Sequence, residues 1–344
     1  MRESVERYKR GEKYTVISGY AGSGKSTLVK FIISALNVNP ETEVAYVAFT
    51  GKAAAVLAQK GCPNATTAHK LLYKAKPMPN GTYKFIPRDT LENEYKVVVV
   101  DEVSMLSKDL WYQLLRHPVY VIALGDPFQL PPINPEDDNH VLDHPHVFLD
   151  EIMRQAQDSE IIRLSMWIRE GKSLALYPCS KEQVQILDKS EVVTGMYEWA
   201  DQILCATNRQ RIKINNEMRD LKGFGPEPCI GDKIISLRNH WDDSSANGTW
   251  ALTNGSIGTI EYFDKEEMWL PRYLSPRGPV PYMFTNIGLD DGDSFNFVPI
   301  DYHCLTTGES FLTPQQVYNL NKNKNYINAP YEFSYAYAIT VHKS

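Results

Sequence analysis

Gly19-Tyr20-Ala21-Gly22-Ser23-Gly24-Lys25-Ser26 has the spacing G-x-x-x-x-G-K-[ST], the pattern of a loop that wraps phosphate groups. Its glycines let successive backbone N–H groups turn inward around phosphate oxygens. Lys25 would reach the β- and γ-phosphates of a nucleoside triphosphate, and the Ser26 hydroxyl would ligate magnesium. Gly22, Ser23, Gly24 and Thr27 complete the expected phosphate-binding set, with ATP and Mg2+ as the ligands. Further along, Lys96-Val97-Val98-Val99-Val100 runs into Asp101-Glu102. Asp101 is the candidate second magnesium ligand beside Ser26. Glu102 is the candidate for orienting and deprotonating an attacking water. An Asp-Glu pair could instead cap the next helix; its company with the glycine loop favours the chemical reading.

Those residues need particular elements to present them. Tyr14-Thr15-Val16-Ile17-Ser18 is short and β-branched, so it reads as a buried strand. Thr27 to Leu36 is helical in pattern, with Leu28, Phe31, Ile32, Ala35 and Leu36 on one face. Strand, glycine loop and helix are the context the motif requires, and the helix N-terminus adds partial positive charge for phosphate. The unalternating valines before Asp101 read as a strand buried on both faces, as in a parallel sheet. Asp101 then sits at a strand's carboxyl end, where open α/β sheets place their ligands.

A second layer of signals surrounds these. Glu43 to Phe49 reads as a strand leading into Thr50-Gly51-Lys52 at a helix start, a set suited to a phosphate of a nucleic-acid backbone or to an ordinary capped helix. In Ala65 to Leu72, Thr67 and His69 could contact a nucleic-acid strand or cap a core helix. Tyr120 to Leu124 is a further strand, followed by Gly125-Asp126-Pro127-Phe128-Gln129-Leu130-Pro131-Pro132. Gln129 on that turn could report the γ-phosphate. Arg154, before a predicted helix over Glu160 to Arg169, could stabilise charge on the transferred phosphoryl group.

With 344 residues, 43% of them hydrophobic, the chain can fill two or more packed domains. No run reaches the ~18 apolar residues of a membrane span, and Met1 to Lys13 is charged and polar, unlike a signal peptide. Five dispersed cysteines without a C-x-x-C pair suggest reduced thiols in a cytoplasmic setting and argue against a zinc site. The net charge of −6 means that any nucleic-acid surface must be a local basic one.

Taken in order, Gly19–Ser26, Phe49–Leu57, Thr66–Leu72, Val100–Met105, Gly125–Pro132, Met153–Gln155, Ala206–Arg211 and Thr340–Ser344 resemble the successive motifs of superfamily-1B DNA helicases of the RecD-like and Dda-like type. D-E-x-S-M, G-D-x-x-Q-L-P-P and V-H-K-S are specific in combination, and the resemblance spans nearly the whole sequence. It implies an α/β protein with two RecA-like P-loop motor domains, ATP in the cleft between them, and 5′ to 3′ movement on single-stranded DNA that unwinds duplex at single/double-strand junctions. It also implies a monomeric motor acting alongside replication or recombination proteins, in a bacterial or, for a phage protein, host cytoplasm. A translocase without unwinding, or an ATP-switched DNA-binding module, is the alternative.

The resemblance divides the chain as 1–150 for the first motor domain, 151–230 with 331–344 for the second, and 231–330 for an SH3-like β-barrel insert. Short strand-like runs between turns from Gly231 onward, the separate run Met268-Trp269-Leu270 among them, agree with a small barrel, whose core would take Trp241, Trp250, Tyr262, Phe263 and Trp269, with Pro271 to Pro281 as a loop. Within the first domain, residues 73–95 carry an Asn80-Gly81 step between strand-like residues, a hairpin signal. In the family this hairpin is a pin at the duplex junction, where Phe85, Tyr83 or Met78 could stack on a base pair. Thr50, Gly51, Lys52, Thr67, His69, Phe85, Asn208, His342 and Lys343 would face DNA. The match departs from the family pattern at both ends. It stops at Ser344, before the motif that supplies a second arginine to ATP, and it shows no glutamine motif ahead of the first strand. Either the sequence omits ends of the natural protein or the chain is a truncated relative.

Overall fold

The computed structural model describes residues 1–77, 83–130, 135–151, 159–180, 182–248, 251–290, 292–323 and 328–340. The chain divides into two compact units, Met1–Lys74 with Pro87–Val192, and Ala75–Ile86 with Val193–Ser344.

The first unit alternates strands and helices: α1 (Arg2–Lys9), β1 (Tyr14–Gly19), α2 (Lys25–Leu36), β2 (Val44–Ala48), α3 (Gly51–Gln59), β3 (Ala65–Thr67) and α4 (Ala68–Leu72). The chain then passes through β4 (Tyr73–Pro77) and β5 (Tyr83–Pro87), most of whose residues group with the second unit, and the first unit continues with β6 (Val97–Val100), α5 (Lys108–Leu115), β7 (Tyr120–Gly125), β8 (Val147–Leu149) and α6 (Glu160–Arg169). Six strands form one sheet in the order β3-β2-β6-β7-β1-β8, and every described pairing is parallel. All six carboxyl ends therefore open on one edge.

The side-chain period of two in a strand builds the two faces. Val16, Ala45, Val47, Val98, Val100, Val121 and Ala123 pack with Leu71, Leu72, Leu110, Trp111 and Leu114 of α4 and α5. The alternate residues Ile17, Val44, Tyr46, Val97, Val99, Ile122 and Leu124 pack with Val29, Ile32, Ile33 and Leu36 of α2. The valines before Asp101 are buried on both sides, as their lack of alternation implies. The expected apolar face of α2 is corrected. Phe31 is 59% exposed and Ala35 is exposed, while Val29 and Ile33 are buried. Residues 29, 32, 33 and 36 and residues 28, 31, 32 and 35 both fit a helical stripe. Only the sheet beneath decides between them.

β4 and β5 form a two-stranded sheet of their own. The short connection over 78–82 cannot carry a parallel crossover, so the pair is antiparallel. The Arg88 N–H donates to the Leu72 carbonyl at 2.8 Å and closes its base.

The second unit contains α7 (Thr194–Trp199), β9 (Ile203–Cys205), α8 (Asn208–Leu221), β10 (Lys233–Ser236), β11 (His240–Ser244), β12 (Ala251–Leu252), β13 (Ile257–Met268), β14 (Val280–Gly288) and β15 (Ser294–Asp301). It ends with α9 (Tyr302–Thr307), α10 (Pro314–Lys322), β16 (Phe333–Tyr335) and β17 (Ala338–Thr340). β9 pairs in parallel with β17, and the buried Asn215 of α8 donates to the Tyr335 and Ala338 carbonyls and accepts from the Ala338 N–H.

Five strands form an antiparallel sheet ordered β15-β14-β13-β10-β16. Bonds between Tyr331 and Pro299 and between Asp301 and Tyr331 draw its two edges together at one end. Its interior is Ile234, Leu252, Ile260, Met283, Ile287, Phe295, Val298, Ile300, Phe333 and Tyr335. Two expectations are corrected here. Trp269 (75% exposed) and Tyr262 (48% exposed) lie outside this core, while Phe263 only borders it. Met268 ends one long strand rather than opening another. Trp250 and the Trp241 side chain fall outside the described residues. No described helix is long and apolar enough to cross a membrane.

Candidate nucleotide site

The parallel sheet gathers the predicted chemistry on a single edge. The loop after β1 carries Gly22 to Ser26, the end of β6 carries Asp101 and Glu102, and the end of β7, between them in strand order, carries Asp126 and Gln129. Gly24 caps α2 with φ +84°, a conformation that suits glycine. α2 then starts at Lys25, so Ser26 and Thr27 occupy its first turn, with its unbonded N–H groups. A Cβ at Gly19 would stand 2.8 Å from Leu149 Cβ, the Leu149 carbonyl and Ser23 Oγ. Gly19→Ala is thus expected to cost about 1–3 kcal/mol by overpacking, read as a lower urea midpoint with an unchanged slope. A stability equal to wild type would show that the loop does not need that close approach.

Lys25 Nζ donates to the carbonyls of Gly19 at 2.7 Å and Tyr20 at 3.0 Å. Burial lowers its pKa, opposed by the carboxylates of Glu102, Asp126 and Asp101. Asp101 is tied to the sheet by its N–H, which donates to the Val47 carbonyl at 2.8 Å. Its Oδ1 accepts from the Glu102 N–H at 3.1 Å. Burial raises its pKa. Glu102 sits at φ +51°, a left-handed conformation that costs a non-glycine residue about 1–3 kcal/mol. Burial raises its pKa, and the Asp101 charge adds to the shift. Glu102 Oε1 accepts from Gln129 Nε2 at 3.4 Å. Among the described residues, Glu102 Oε2 and Ser23 Oγ are buried without a hydrogen-bond partner.

These groups fit a nucleoside triphosphate. Lys25 and the first turn of α2 offer positive charge and N–H donors to phosphate. The Ser26 hydroxyl and the Asp101 carboxylate are the hard oxygen donors that magnesium takes. Glu102 beside them is strained and keeps one buried oxygen without a hydrogen-bond partner.

Thr50 and Thr67 do what their positions at helix starts suggest. Thr50 Oγ1 accepts from the Ala53 N–H at 3.2 Å, and Thr67 Oγ1 accepts from the Lys70 N–H at 3.3 Å. Gly51 is buried, while Lys52 and His69 are exposed. Because β2 and β3 are parallel to the rest, both helix starts lie on the same edge of the sheet as the glycine loop. Phe85 lies on β5 and is 50% exposed. In the second unit, Asn208 opens α8 after the Thr207 cap and is exposed. Arg154, His342 and Lys343 lie outside the described residues.

Sequence reasoning assigned no role to two residues of the site. Asp126 is fully buried, and Arg169 Nη2 donates to its Oδ2 at 2.6 Å. A buried aspartate demands a charged partner, but nothing in the sequence says which of 36 basic residues supplies it.

A six-stranded parallel sheet with a glycine loop after one strand and strand-end carboxylates after another defines the P-loop class of nucleotide-binding fold. The chain belongs to the AAA domain family, whose model matches residues 2–196. It is 29% identical over 180 residues to the ATP-dependent DNA helicase dda of Enterobacteria phage T4, covering 49% of this chain and 40% of that protein. The chain thus spans less than half of that relative's length.

Among solved structures, Bacteroides Pif1 bound to single-stranded DNA matches 99% of this chain and 83% of its own, with TM-score 0.50 and 19% identity. Pif1 helicase from Candida albicans matches 100% and 85%, with TM-score 0.50 and 16% identity. At these identities the likeness shows the fold, a mixed α/β architecture with a parallel sheet.

Proposed function

We propose that this chain is an ATP-dependent DNA helicase that moves along single-stranded DNA 5′ to 3′ and unwinds duplex at single/double-strand junctions. The observation that carries the reading is the convergence of Lys25, Asp101, Glu102 and Gln129 on one sheet edge, in a chain whose fold follows the Pif1 structures over its length. Lys25 and Gly22 to Thr27 hold the ATP phosphates, and Ser26 and Asp101 hold Mg2+. Glu102 activates water, while Gln129 and Arg154 respond to the γ-phosphate. The first motor domain is residues 1–150, the second is 151–230 with 331–344, and 231–330 is an SH3-like insert that guides the strand.

Thr50, Gly51, Lys52, Thr67, His69, Asn208, His342 and Lys343 face DNA. The placement of Thr50 and Thr67 supports this, because their capping hydroxyls fix helix N-termini that suit backbone phosphates. ATP hydrolysis measured with and without single-stranded DNA, beside unwinding of substrates with opposite overhangs, tests the reading. Hydrolysis that ignores DNA would overturn it. Stimulated hydrolysis without strand separation would reduce it to a translocase.

The β4–β5 hairpin is the pin of this helicase. Phe85 offers a ring whose stacking on a base is worth about 1–3 kcal/mol, comparable with about 1.4 kcal/mol for one DNA stacking step. Phe85→Ala is therefore expected to keep DNA-stimulated hydrolysis and to lose strand separation by about 10-fold or more. Equal unwinding by the variant would remove the hairpin from the mechanism.

A further inference from the structure

We propose that Arg169 is a positioning residue of the nucleotide site, with one guanidinium clamping the phosphate loop and the Gln129 turn so that Gln129 is held against Glu102. The inference rests on the proposed nucleotide chemistry and assigns a role to a residue outside that machinery.

Arg169 ends α6, 43 residues beyond its partner Asp126. Its side chain is 11% exposed and that of Asp126 is 0% exposed. The guanidinium carbon also lies over the ring of Tyr20, 4.8 Å from its centroid, and over that of Phe128 at 5.7 Å. Nη1 donates to Ser165 Oγ at 3.3 Å, which sets the rotation of the fork. Tyr20 belongs to the phosphate loop, and its carbonyl accepts from Lys25 Nζ. Phe128 belongs to the turn after β7. One planar cation therefore touches both loops at once.

Asp126 passes the grip on. Oδ2 is taken by Arg169, and Oδ1 accepts from the Phe128 N–H at 3.0 Å. The Asp126 carbonyl accepts from the Gln129 N–H at 3.1 Å. With both carboxylate oxygens engaged, Asp126 serves the turn, and the turn aims Gln129 at Glu102. Lysine cannot replace the guanidinium here, because a compact ammonium lacks the fork and the flat face that lies over the two rings. A shift of α6 would reach both loops through this single side chain.

The test uses Arg169→Lys and Arg169→Gln in the full chain. Amide exchange at Phe128 and Gln129 is expected to quicken about 10-fold or more as the turn loosens, with the β7 amides unchanged. DNA-stimulated ATP turnover is expected to fall about 10²-fold in kcat with KM nearly unchanged, the size of loss that a misplacement of about 1 Å produces. In a Gln129→Ala background, Arg169→Lys should add no further loss, because it acts through Gln129. Unchanged exchange at Phe128 and Gln129 overturns the proposal, and so does a fully additive loss in the double variant. Absence of hydrolysis in the wild-type chain would instead overturn the helicase reading, and the exchange result would still decide whether Arg169 holds the turn.

Discussion

Lys25→Ala is expected to lower DNA-stimulated ATP hydrolysis by about 10²–10³-fold or more, the cost of removing one preorganised donor from developing charge. Lys25 is the cation with the largest charge effect on the Glu102 and Asp101 carboxylates, while Asp126 is paired with Arg169. Part of its hydration is already lost, and burial has lowered its pKa. Its ammonium rests on the Gly19 and Tyr20 carbonyls at 2.7 and 3.0 Å, within the loop it would serve. Exchanging those carbonyls for phosphate oxygens replaces neutral acceptors with charged ones, which strengthens the bonds. The variant takes this cation away from Asp101 and Glu102, so their pKa values, already raised by burial, should rise further. Phosphate release is the measurement, with thermal unfolding alongside it to show that the loss is not a loss of fold. Turnover equal to wild type would remove the chemical basis of the proposed function.

Glu102→Gln is expected to lower hydrolysis by about 10²–10⁴-fold, the contribution of a positioned general base, while leaving nucleotide binding in place. The same change should raise stability at neutral pH. In the folded chain Glu102 is pushed up first by burial and then by the charge of Asp101. A carboxyl raised on folding holds its proton more tightly in the native state, so stability falls as pH rises from its unfolded pKa through its folded one. Removing the charge removes that penalty. The variant's melting temperature should exceed that of wild type at neutral pH and approach it in acid, by about 2–4 °C for each kcal/mol recovered.

Activity should run the other way, because a general base acts in its ionised form. The wild-type rate should fall in acid at a higher pH than an ordinary exposed glutamate would dictate, and Asp101, also raised by burial, acts in the same direction. A melting temperature below that of wild type at neutral pH would show that the Glu102 carboxylate is stabilised by its surroundings, contrary to the burial and the unpartnered Oε2 described above.

Much of this was legible in the residues because the signals are local. The glycine loop needs a strand before it and a helix after it, and β1 and α2 provide them. The valine run before Asp101 could only be buried on both faces, and it is. Glu160 to Arg169 is helical over the predicted span. The failures were of another kind. Two stripes of α2 satisfied the same period, and packing chose the one that leaves Phe31 in solvent. β13 runs on to Met268 because β14 supplies a pairing partner along that length, and β14 itself follows a proline-rich stretch that reads as a turn region.

The sequence alone determined which chemistry could occur: a phosphate loop, two carboxylates after a buried strand, and a glutamine on the turn that follows another. Each is written in a few consecutive residues, where spacing and backbone constraint act over short range. The tertiary structure decided their company. Strand order placed the β7 turn between the glycine loop and Asp101, and the last turn of α6 brought Arg169 to Asp126 and Tyr20. Burial of a charge obliges a partner but does not name one, so that choice belongs to the packing of distant segments.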